Sequence, residues 1–191
     1  MYQALLKDAR FQQLLFEFDA DLAAEARAGR CVLCRSAMHW GNYRRKLRGP
    51  LARLLPEEHC CRFSVCCARR DCRKRKTPPS LRFLGRKAYL AAMVVLIATM
   101  QHGATAVRVQ KLSEMFSVSR RTVARWRTWW LTTFAAGPFW QAARGLFMPP
   151  IDQEGLPTSL LERFAGTVEE RLVALLRFLG PVTGGVAVHA A

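Results

Sequence analysis

The sequence predicts a mainly α-helical protein with a small zinc-ribbon β insertion and a helix-turn-helix DNA-binding core. Two short cysteine pairs bracket a stretch without helical periodicity, which predicts the metal-bound insertion. A later pair of helical patterns is joined by a serine-containing turn, and the second pattern begins with arginines, which predicts the DNA-binding core. The expected segments are an N-terminal helix at 1–30, a zinc ribbon at 31–80, a helix-turn-helix domain at 81–135, and a C-terminal helical segment with a tail at 136–191.

The basic charge of the chain is concentrated in two central blocks. The 191 residues include 30 Lys and Arg against 14 Asp and Glu, a formal net charge of +16. Residues 31–87 carry a net charge of +13 and residues 105–130 a net charge of +5, whereas both ends are near neutral. A basic face kept for solubility does not explain this segregation. The pattern favours a polyanionic partner, either nucleic acid or an anionic membrane surface, and argues against a pocket for a cationic substrate.

The chain shows neither a leader nor a membrane-spanning run. Its N-terminus lacks a basic stretch followed by an apolar one, and its longest apolar run, Ala88 to Met100, has thirteen residues. A membrane span needs about 20 residues. Five of the seven cysteines lie between Cys60 and Cys72, whereas a secreted disulfide framework favours an even number at spread spacings. We therefore expect a cytoplasmic, nucleoid-associated protein with reduced, metal-binding thiols.

Two helices are expected on either side of the cysteine-bearing stretch. Residues 2–27 repeat apolar side chains every three or four positions, with no Pro or Gly before Gly29. Residues 81–100 end in the long apolar run, and Gly103 follows as a stop. Because that run is too short to cross a membrane, it predicts a buried helix.

A last helix is expected near the C-terminus. Its leucine stripe runs from Leu160 to Leu179, and Ser159 and Glu162 have the spacing of a capping box. The stripe is expected to pack on the N-terminal helix of its own chain, or alternatively to form a homodimer interface. Residues 183–191 are small and apolar, which predicts a frayed tail.

The two cysteine pairs predict a zinc site. Four thiolates at about 2.3 Å form the shell of a structural Zn2+, and each short pair can present two of them from one turn. Cys66 is the alternative third ligand, and Cys60, Cys61 and Cys66 are otherwise expected to behave as small buried hydrophobes. The four predicted ligands are Cys31 and Cys34, a C-x2-C pair, and Cys67 and Cys72, a C-x4-C pair.

Two runs of basic residues follow the cysteine pairs. Thiolates carry negative charge, so one or two of these cations are expected to compensate the metal site. The others are predicted to contact phosphates, which position a protein on nucleic acid without reading its sequence. The predicted phosphate contacts are Arg44, Arg45, Lys46 and Arg48 after the first pair, and Arg73, Lys74, Arg75 and Lys76 after the second.

Residues 109–130 predict two helices joined by a short turn. The turn is Ser117-Val118-Ser119, and Ser119 is placed to cap the second helix. In a helix-turn-helix the second helix enters the major groove, and its first residues reach base edges. The string resembles the helix-turn-helix of resolvases, transposases and sigma-like regulators; a plain helical hairpin is the alternative. The predicted base contacts are Arg120, Arg121, Thr122 and Arg125; the residues expected in the core are Val118, Val123, Trp126, Trp129, Trp130 and Trp140.

Three strings of residues carry a family resemblance. They are Cys31-x-x-Cys34 with residues 42–49, residues 62–67 with 72–80, and residues 82–86. Together they resemble a largely uncharacterised family of small bacterial proteins, associated with mobile elements, that combine a zinc ribbon with a helix-turn-helix. The ribbon is also similar to the N-terminal ribbons of several bacterial transposases. This resemblance spans about residues 1–180 and implies transposition, recombination or regulation of a mobile element.

The expected function is that of an accessory factor in transposition or recombination. Its partners would be double-stranded DNA and a transposase or recombinase, and the chain would act as a monomer or homodimer. The alternatives are a transcriptional repressor, an RNA-binding or ribonucleoprotein subunit, and a small transposase or nuclease. An enzyme is disfavoured because metal-dependent strand transfer needs a cluster of carboxylates on a substantial fold. The five aspartates, none in a core-forming context, are Asp8, Asp19, Asp21, Asp71 and Asp152.

Overall fold

A computed structural model describes residues 2–85, 88–101, 103 and 105–184. It is mostly helical, with a small antiparallel β component, which confirms the predicted mainly α class with a β insertion. The helices are α1 (Tyr2–Lys7), α2 (Ala9–Ala28), α3 (Ala91–Met100), α4 (Ala106–Met115), α5 (Arg120–Trp129), α6 (Pro138–Ala143), α7 (Thr158–Leu161), α8 (Val168–Phe178) and α9 (Gly180–Thr183). The strands are β1 (Met38–Trp40), β2 (Tyr43–Arg44), β3 (Cys61–Arg62), β4 (Val65–Cys67) and β5 (Arg75–Lys76).

The N-terminal helix predicted over residues 2–27 is broken at Asp8. The Asp8 carboxylate accepts hydrogen bonds from the backbone amides of Arg10 at 2.7 Å and Phe11 at 3.3 Å, and so caps α2. A capping aspartate takes an extended conformation that ends the preceding helix. The prediction of one helix is therefore wrong in its first turn, while α2 itself extends to Ala28 as expected.

The central helix α3 is shorter than predicted. Every residue from Ala91 to Thr99 is buried, and α3 lies against α1, α5 and α8. Residues 81–85 are not helical, because the Ser80 hydroxyl accepts from the amides of Arg82 and Phe83 and holds them in a turn. Gly85 then takes a φ of +58°. Within the described part of the chain, no helix has the length and hydropathy needed to cross a membrane.

The leucine stripe near the C-terminus is divided between two helices. Ser159 lies inside the short α7, so the capping box predicted there is wrong. The capping box belongs to α8, where Thr167 caps the helix and the Glu170 carboxylate accepts a hydrogen bond from the Thr167 amide at 2.7 Å. The leucines of α8 are buried against α3 in the same chain, so they do not offer a free dimer interface. The tail predicted for 183–191 lies, from residue 185 onward, outside the described residues.

An ion pair is buried where α2 meets the cysteine-bearing segment. Arg82 Nε lies 2.9 Å from Asp19 Oδ2, and the two side chains are 1% and 0% exposed. The guanidinium also donates to the backbone carbonyls of His59 at 2.7 Å and Cys61 at 3.0 Å. Its remaining surroundings are the aromatic rings of Phe16, Phe63 and Phe83, with centroids 4.7 to 5.1 Å away. The expectation that no aspartate lies in a core-forming context is therefore wrong for Asp19.

A second buried link joins the C-terminal helix to the segment after β5. The backbone amide of Ser80 donates to Thr183 Oγ1 at 2.7 Å. The buried guanidinium of Arg62 donates to the carbonyl of Pro78 at 2.5 Å and to that of Thr183 at 3.4 Å. Burial lowers the pKa of Arg62. Arg62 and Arg82 therefore contribute to the core rather than to the basic surface.

His59 makes the stability of this region depend on pH. Its ring is buried, stacks on Phe16 at 4.7 Å, and places Nε2 3.2 Å from Gln13 Oε1. Burial, followed by the positive charge of Arg82, lowers the pKa of His59. The unfolded chain therefore takes up a proton first, near pH 6.5, and folding stability falls as the pH drops below that value.

We expect His59→Phe to weaken this pH dependence. Urea unfolding of both proteins between pH 7.5 and 5.5 should show the wild type losing more stability, by no more than about 1.4 kcal/mol per pH unit. The comparison of the two proteins at each pH cancels the protonation of carboxylates and cysteines, which they share. Parallel stability curves for the two proteins would contradict the assignment of a neutral, buried His59.

Candidate metal centre and basic surfaces

Four cysteine side chains converge on one point. All four Sγ atoms lie within 4.8 Å of one another, with Cys31 and Cys72 at 3.7 Å and Cys34 and Cys67 at 3.3 Å. Sulfurs bound tetrahedrally at about 2.3 Å from a zinc ion are about 3.8 Å apart. The cluster is therefore close enough to hold a metal ion, as the spacing of the cysteine pairs predicts.

Each cysteine pair is presented by a tight turn. In the first, the amide of Arg35 donates to the carbonyl of Cys31 at 2.9 Å, and in the second the amide of Arg73 donates to that of Arg69 at 3.0 Å. Arg35 and Arg73, each directly after the second cysteine of its pair, take positive φ values of 60° and 44°. The two turns thus use the same left-handed position, which is costly for a residue other than glycine.

A three-stranded antiparallel sheet brings the two turns together. Strand order is β1-β4-β5, with the first cysteine turn before β1 and the second between β4 and β5. Met38 is paired with Cys67 and Trp40 with Val65. A small separate core lies between this sheet and the end of α2; its buried members are Ala26, Cys31, Met38, Val65 and Cys67.

The register of β4 decides between Cys66 and Cys67. Neighbouring residues of a strand point to opposite faces of the sheet. Cys67 is fully buried within the cluster, whereas the Cys66 thiol donates to the carbonyl of Arg73 at 3.2 Å. Cys67 is therefore the third member. Cys60, Cys61 and Cys66 are half-buried and lie outside the cluster, so the expectation that they are fully buried thiols is wrong.

The thiols of the cluster differ in how readily they ionise. A hydrogen bond from the Ser36 side chain, followed by one from its backbone, lowers the pKa of Cys34 to about 6. The backbone amides of Cys34 and Leu33 lower the pKa of Cys31, whereas burial raises the pKa of Cys67 to about 12. Cys34 is therefore the thiol that ionises near neutral pH, and the buried Cys67 thiol needs a cation beside it to ionise. Four protein sulfurs fill a tetrahedral shell, as in a structural site.

The basic residues around the sheet fall into two groups. Arg45 is half-buried and donates to the carbonyl of Gly85 at 3.2 Å, and Arg75 donates to the carbonyl of Gly41 at 2.6 Å. Both arginines are thus bonded to the backbone, although Arg75 is still exposed. Arg44 is exposed and forms an ion pair with Glu57. The other predicted contacts are exposed: Lys46, Arg48, Arg73, Lys74 and Lys76.

Helices α4 and α5 are joined by the predicted turn. Ser119 Oγ accepts from the amide of Thr122 at 3.3 Å and caps α5, as expected. Ser113 Oγ donates to the carbonyl of Val118 at 2.7 Å, which fixes the turn to α4. One side of the pair is buried and contacts α3, whereas the arginines are exposed. The buried residues are Leu112, Phe116, Val118, Val123 and Trp126; the exposed ones are Arg120, Arg121 and Arg125.

Thr122 does not lie on the exposed side with the arginines. Its side chain is buried, and its hydroxyl lies 3.0 Å from Ser119 Oγ and accepts from Arg125 Nη2 at 3.3 Å. The expectation that Thr122 projects outward is wrong, because position 122 is held against the cap of α5. Its hydroxyl instead orients Arg125.

Four of the five tryptophans lie in or against the core as predicted, and the fifth, Trp40, was not predicted to have a role. Trp126, Trp130 and Trp140 are buried in the core and Trp129 is half-buried against it, as predicted. Trp40 was not singled out, yet its side chain is 45% exposed on β1. Met38 and Trp40 are two residues apart, so a strand predicted here would have placed both on the same face.

Comparison with protein-family models, with curated proteins and with solved structures finds no match. The four-cysteine cluster and the exposed arginines at the start of α5 are the features of the described residues that bear on function.

Proposed function

We propose that this chain is a zinc-binding, helix-turn-helix DNA-binding protein that serves as an accessory factor in transposition or recombination of a bacterial mobile element. The observation that carries the DNA-binding part is the division of α5 into two sides. Val123 and Trp126 are buried against the core, while Arg121 and Arg125 are exposed within its first two turns. This is the arrangement that a recognition helix needs to reach base edges in the major groove.

Zinc is the metal that suits the cluster. Thiolates are soft ligands, which favours zinc over the magnesium and calcium ions that oxygen ligands select. The sheet around the cysteines has five buried hydrophobic residues, two of which are ligands. Metal binding would therefore supply stability that so small a core lacks, and the zinc would have a structural role.

The two basic surfaces would make different contacts with DNA. Arginines at the start of α5 can form bidentate hydrogen bonds to guanine, which distinguish one base pair from another. Lys46, Arg73 and Lys74 are exposed around the ribbon and would contact phosphates, which adds affinity without sequence preference. The guanidinium of Arg125, oriented by Thr122, is the best placed of the three arginines to make a defined contact.

The carboxylates support an accessory function over an enzyme. Asp8 caps α2, Asp19 is paired with Arg82, and Asp152 accepts from the amide of Glu154. Among the described residues, the group of potential metal ligands consists of the four cysteines alone. A transposase or recombinase would thus supply the chemistry, and the resemblance to mobile-element proteins suggests that such an enzyme is the partner.

A transcriptional repressor is the second candidate. It would need a two-fold dimer to match a palindromic operator. The leucines of α8 are buried against α3 in their own chain, which leaves the accessory factor as the better-supported proposal. Light scattering of the purified protein with selected DNA would separate the two, since a dimer on a palindromic site favours the repressor.

The test is selection of bound sequences from a random duplex pool, followed by variants of both surfaces. We expect Arg121→Ala and Arg125→Ala to reduce the preference for the selected sequence by roughly tenfold to a hundredfold each. Arg73→Ala with Lys74→Ala should instead weaken selected and random duplexes alike, and lower the salt slope by about two. Arg144→Ala removes an exposed arginine from the C-terminal half and serves as the matched control.

Two outcomes would contradict the proposal. No enriched sequence and no duplex binding would exclude the DNA-binding function. Equal loss on selected and random duplexes from both sets of variants would contradict the division between base contacts and phosphate contacts. An RNA competitor that displaces the selected duplex at equal concentration would favour the ribonucleoprotein alternative instead.

A further inference from the structure

A pocket lies between the end of α2 and strand β1. Its volume is about 400 Å3, within the range of small-ligand sites. Trp40 and Met38 form one wall, and the last turn of α2 with the following residues forms the other. The ring of Trp40 is 45% exposed and presents apolar surface to this pocket.

The position of Trp40 follows from the register of the sheet. Met38 is paired with Cys67 and fills the small core beside the cysteines. Trp40, two residues further along, lies on the same side of β1, beyond the edge of that core. The ring contacts Phe63 at a centroid distance of 6.4 Å, and much of its remaining surface is open to solvent.

Two arginines give the pocket a positive charge. The guanidinium carbon of Arg27 lies 5.1 Å from the centroid of the Trp40 ring, and Arg30 lines the same pocket. No carboxylate is among the described residues that line it. Arg27 covers part of the Trp40 ring, and the exposed remainder, next to these two cations, matches a ligand that has a flat ring and a negative charge.

We propose that this pocket binds an unpaired base of single-stranded DNA, stacked on Trp40, with the adjoining phosphates on Arg27 and Arg30. The assignment rests on the proposed DNA-binding function and adds a second mode to it. A base within a duplex has both faces covered by its neighbours, so only an unpaired base can stack on a side chain. The protein would then bind a duplex that ends in a single strand more tightly than a blunt duplex.

The experiment compares three fluorescent DNA hairpins by anisotropy at one salt concentration. The first is blunt, the second carries a short thymidine tail, and the third carries an abasic tail of equal length. The abasic tail keeps the phosphates and removes the bases. We expect the wild-type protein to bind the thymidine-tailed hairpin at least fivefold more tightly than the blunt one, since stacking contributes about 1–3 kcal/mol per base. The abasic tail should lose most of that gain.

Variants of Trp40 test whether its ring causes the tighter binding of the thymidine-tailed hairpin. Trp40→Ala should abolish this gain in affinity and Trp40→Phe should keep most of it. The affinity for the blunt hairpin should stay unchanged in both variants. Leu146→Ala removes an exposed apolar side chain of another region, 79% exposed, and should change nothing. The abasic comparison needs only the wild-type protein, so the test remains decisive if Trp40→Ala does not fold.

The outcomes separate this proposal from the DNA-binding function on which it rests. Equal binding of blunt and thymidine-tailed hairpins, or an equal gain from the abasic tail, would overturn the base-binding pocket and leave duplex binding intact. A uniform loss on all hairpins in Trp40→Ala, with Trp40→Phe no better, would also overturn it. Failure of the wild-type protein to bind any hairpin would instead overturn the DNA-binding function itself.

Discussion

Cys67→Ser is expected to lose its metal, whereas Cys66→Ser is expected to keep one metal ion per chain. The two cysteines are neighbours on β4, and only Cys67 belongs to the four-sulfur cluster. Replacing one thiolate by a neutral hydroxyl removes a strong ligand and leaves three sulfurs around a divalent cation. Because the sheet has so small a core, we expect β1, β4 and β5 to unfold locally once the metal is gone.

Metal analysis of freshly reduced protein measures the first part of this prediction. Limited trypsin digestion measures the second, since the second cysteine turn and β5 are rich in arginine and lysine. The wild type and Cys66→Ser should resist cleavage there, and Cys67→Ser or chelator-treated wild type should not. Full metal content in Cys67→Ser together with loss in Cys66→Ser would reverse the assignment, and no metal in the wild type would remove the site.

Arg82→Met is expected to lower the free energy of unfolding by about 3–5 kcal/mol. The substitution removes the buried guanidinium and leaves the Asp19 carboxylate without its ion-pair partner in the core. An uncompensated buried charge is among the costliest results of a single substitution. It also frees the backbone carbonyls of His59 and Cys61 that Arg82 binds. Thermal unfolding should show a drop in Tm on the order of 10 °C.

Two further variants test the cause of that loss. Arg53→Met removes an exposed arginine and should change stability by less than about 0.5 kcal/mol. Asp19→Asn combined with Arg82→Met removes the unpaired charge, so the double variant should be more stable than Arg82→Met alone. A double variant that is destabilised by the sum of the two single effects would show that the ion pair does not determine the loss.

The spacing of the cysteines predicts three of the four ligands and leaves open whether the other is Cys66 or Cys67. The C-x2-C pair and Cys72 could be assigned because short spacings limit the geometry of a turn. Cys66 and Cys67 could not be separated, since their roles depend on the register of β4 against β1. Register is set by pairing with a distant strand and by which face is buried, and neither is visible in a local pattern.

The buried ion pair illustrates what charge counting misses. Asp19 lies on α2 four residues after Leu15 and four before Ala23, so it interrupts an otherwise apolar face. That position was a sign of a buried carboxylate. Its partner could not be found in the same way, because Arg82 lies 63 residues away. The net charge of +13 on residues 31–87 therefore includes two guanidinium groups, Arg62 and Arg82, that face the interior.

The turn between α4 and α5 and the buried side of the pair were predicted because their determinants are local. The cap at Ser119 and the alternation of buried Val123 with exposed arginines are set within one or two turns of helix. The prediction of a helix beginning at residue 81 was wrong because its determinants are not local. Ser80, Leu81 and Arg82 have hydrogen-bonding partners on α2, and these long-range bonds outweigh the helical preference of the sequence.

The ribosome synthesises two hydrogen-bonding partners of Ser80, Asp19 and Thr183, at very different times. The Ser80 amide is paired with Thr183 Oγ1, 103 residues later, whereas the four cysteines are all present once residue 72 has been made. Loops of that length close slowly, and short turns close early. A growing chain would therefore acquire its metal long before it can complete its interior. Shortage of metal would act at the beginning of folding, and truncation before residue 183 would act at its end.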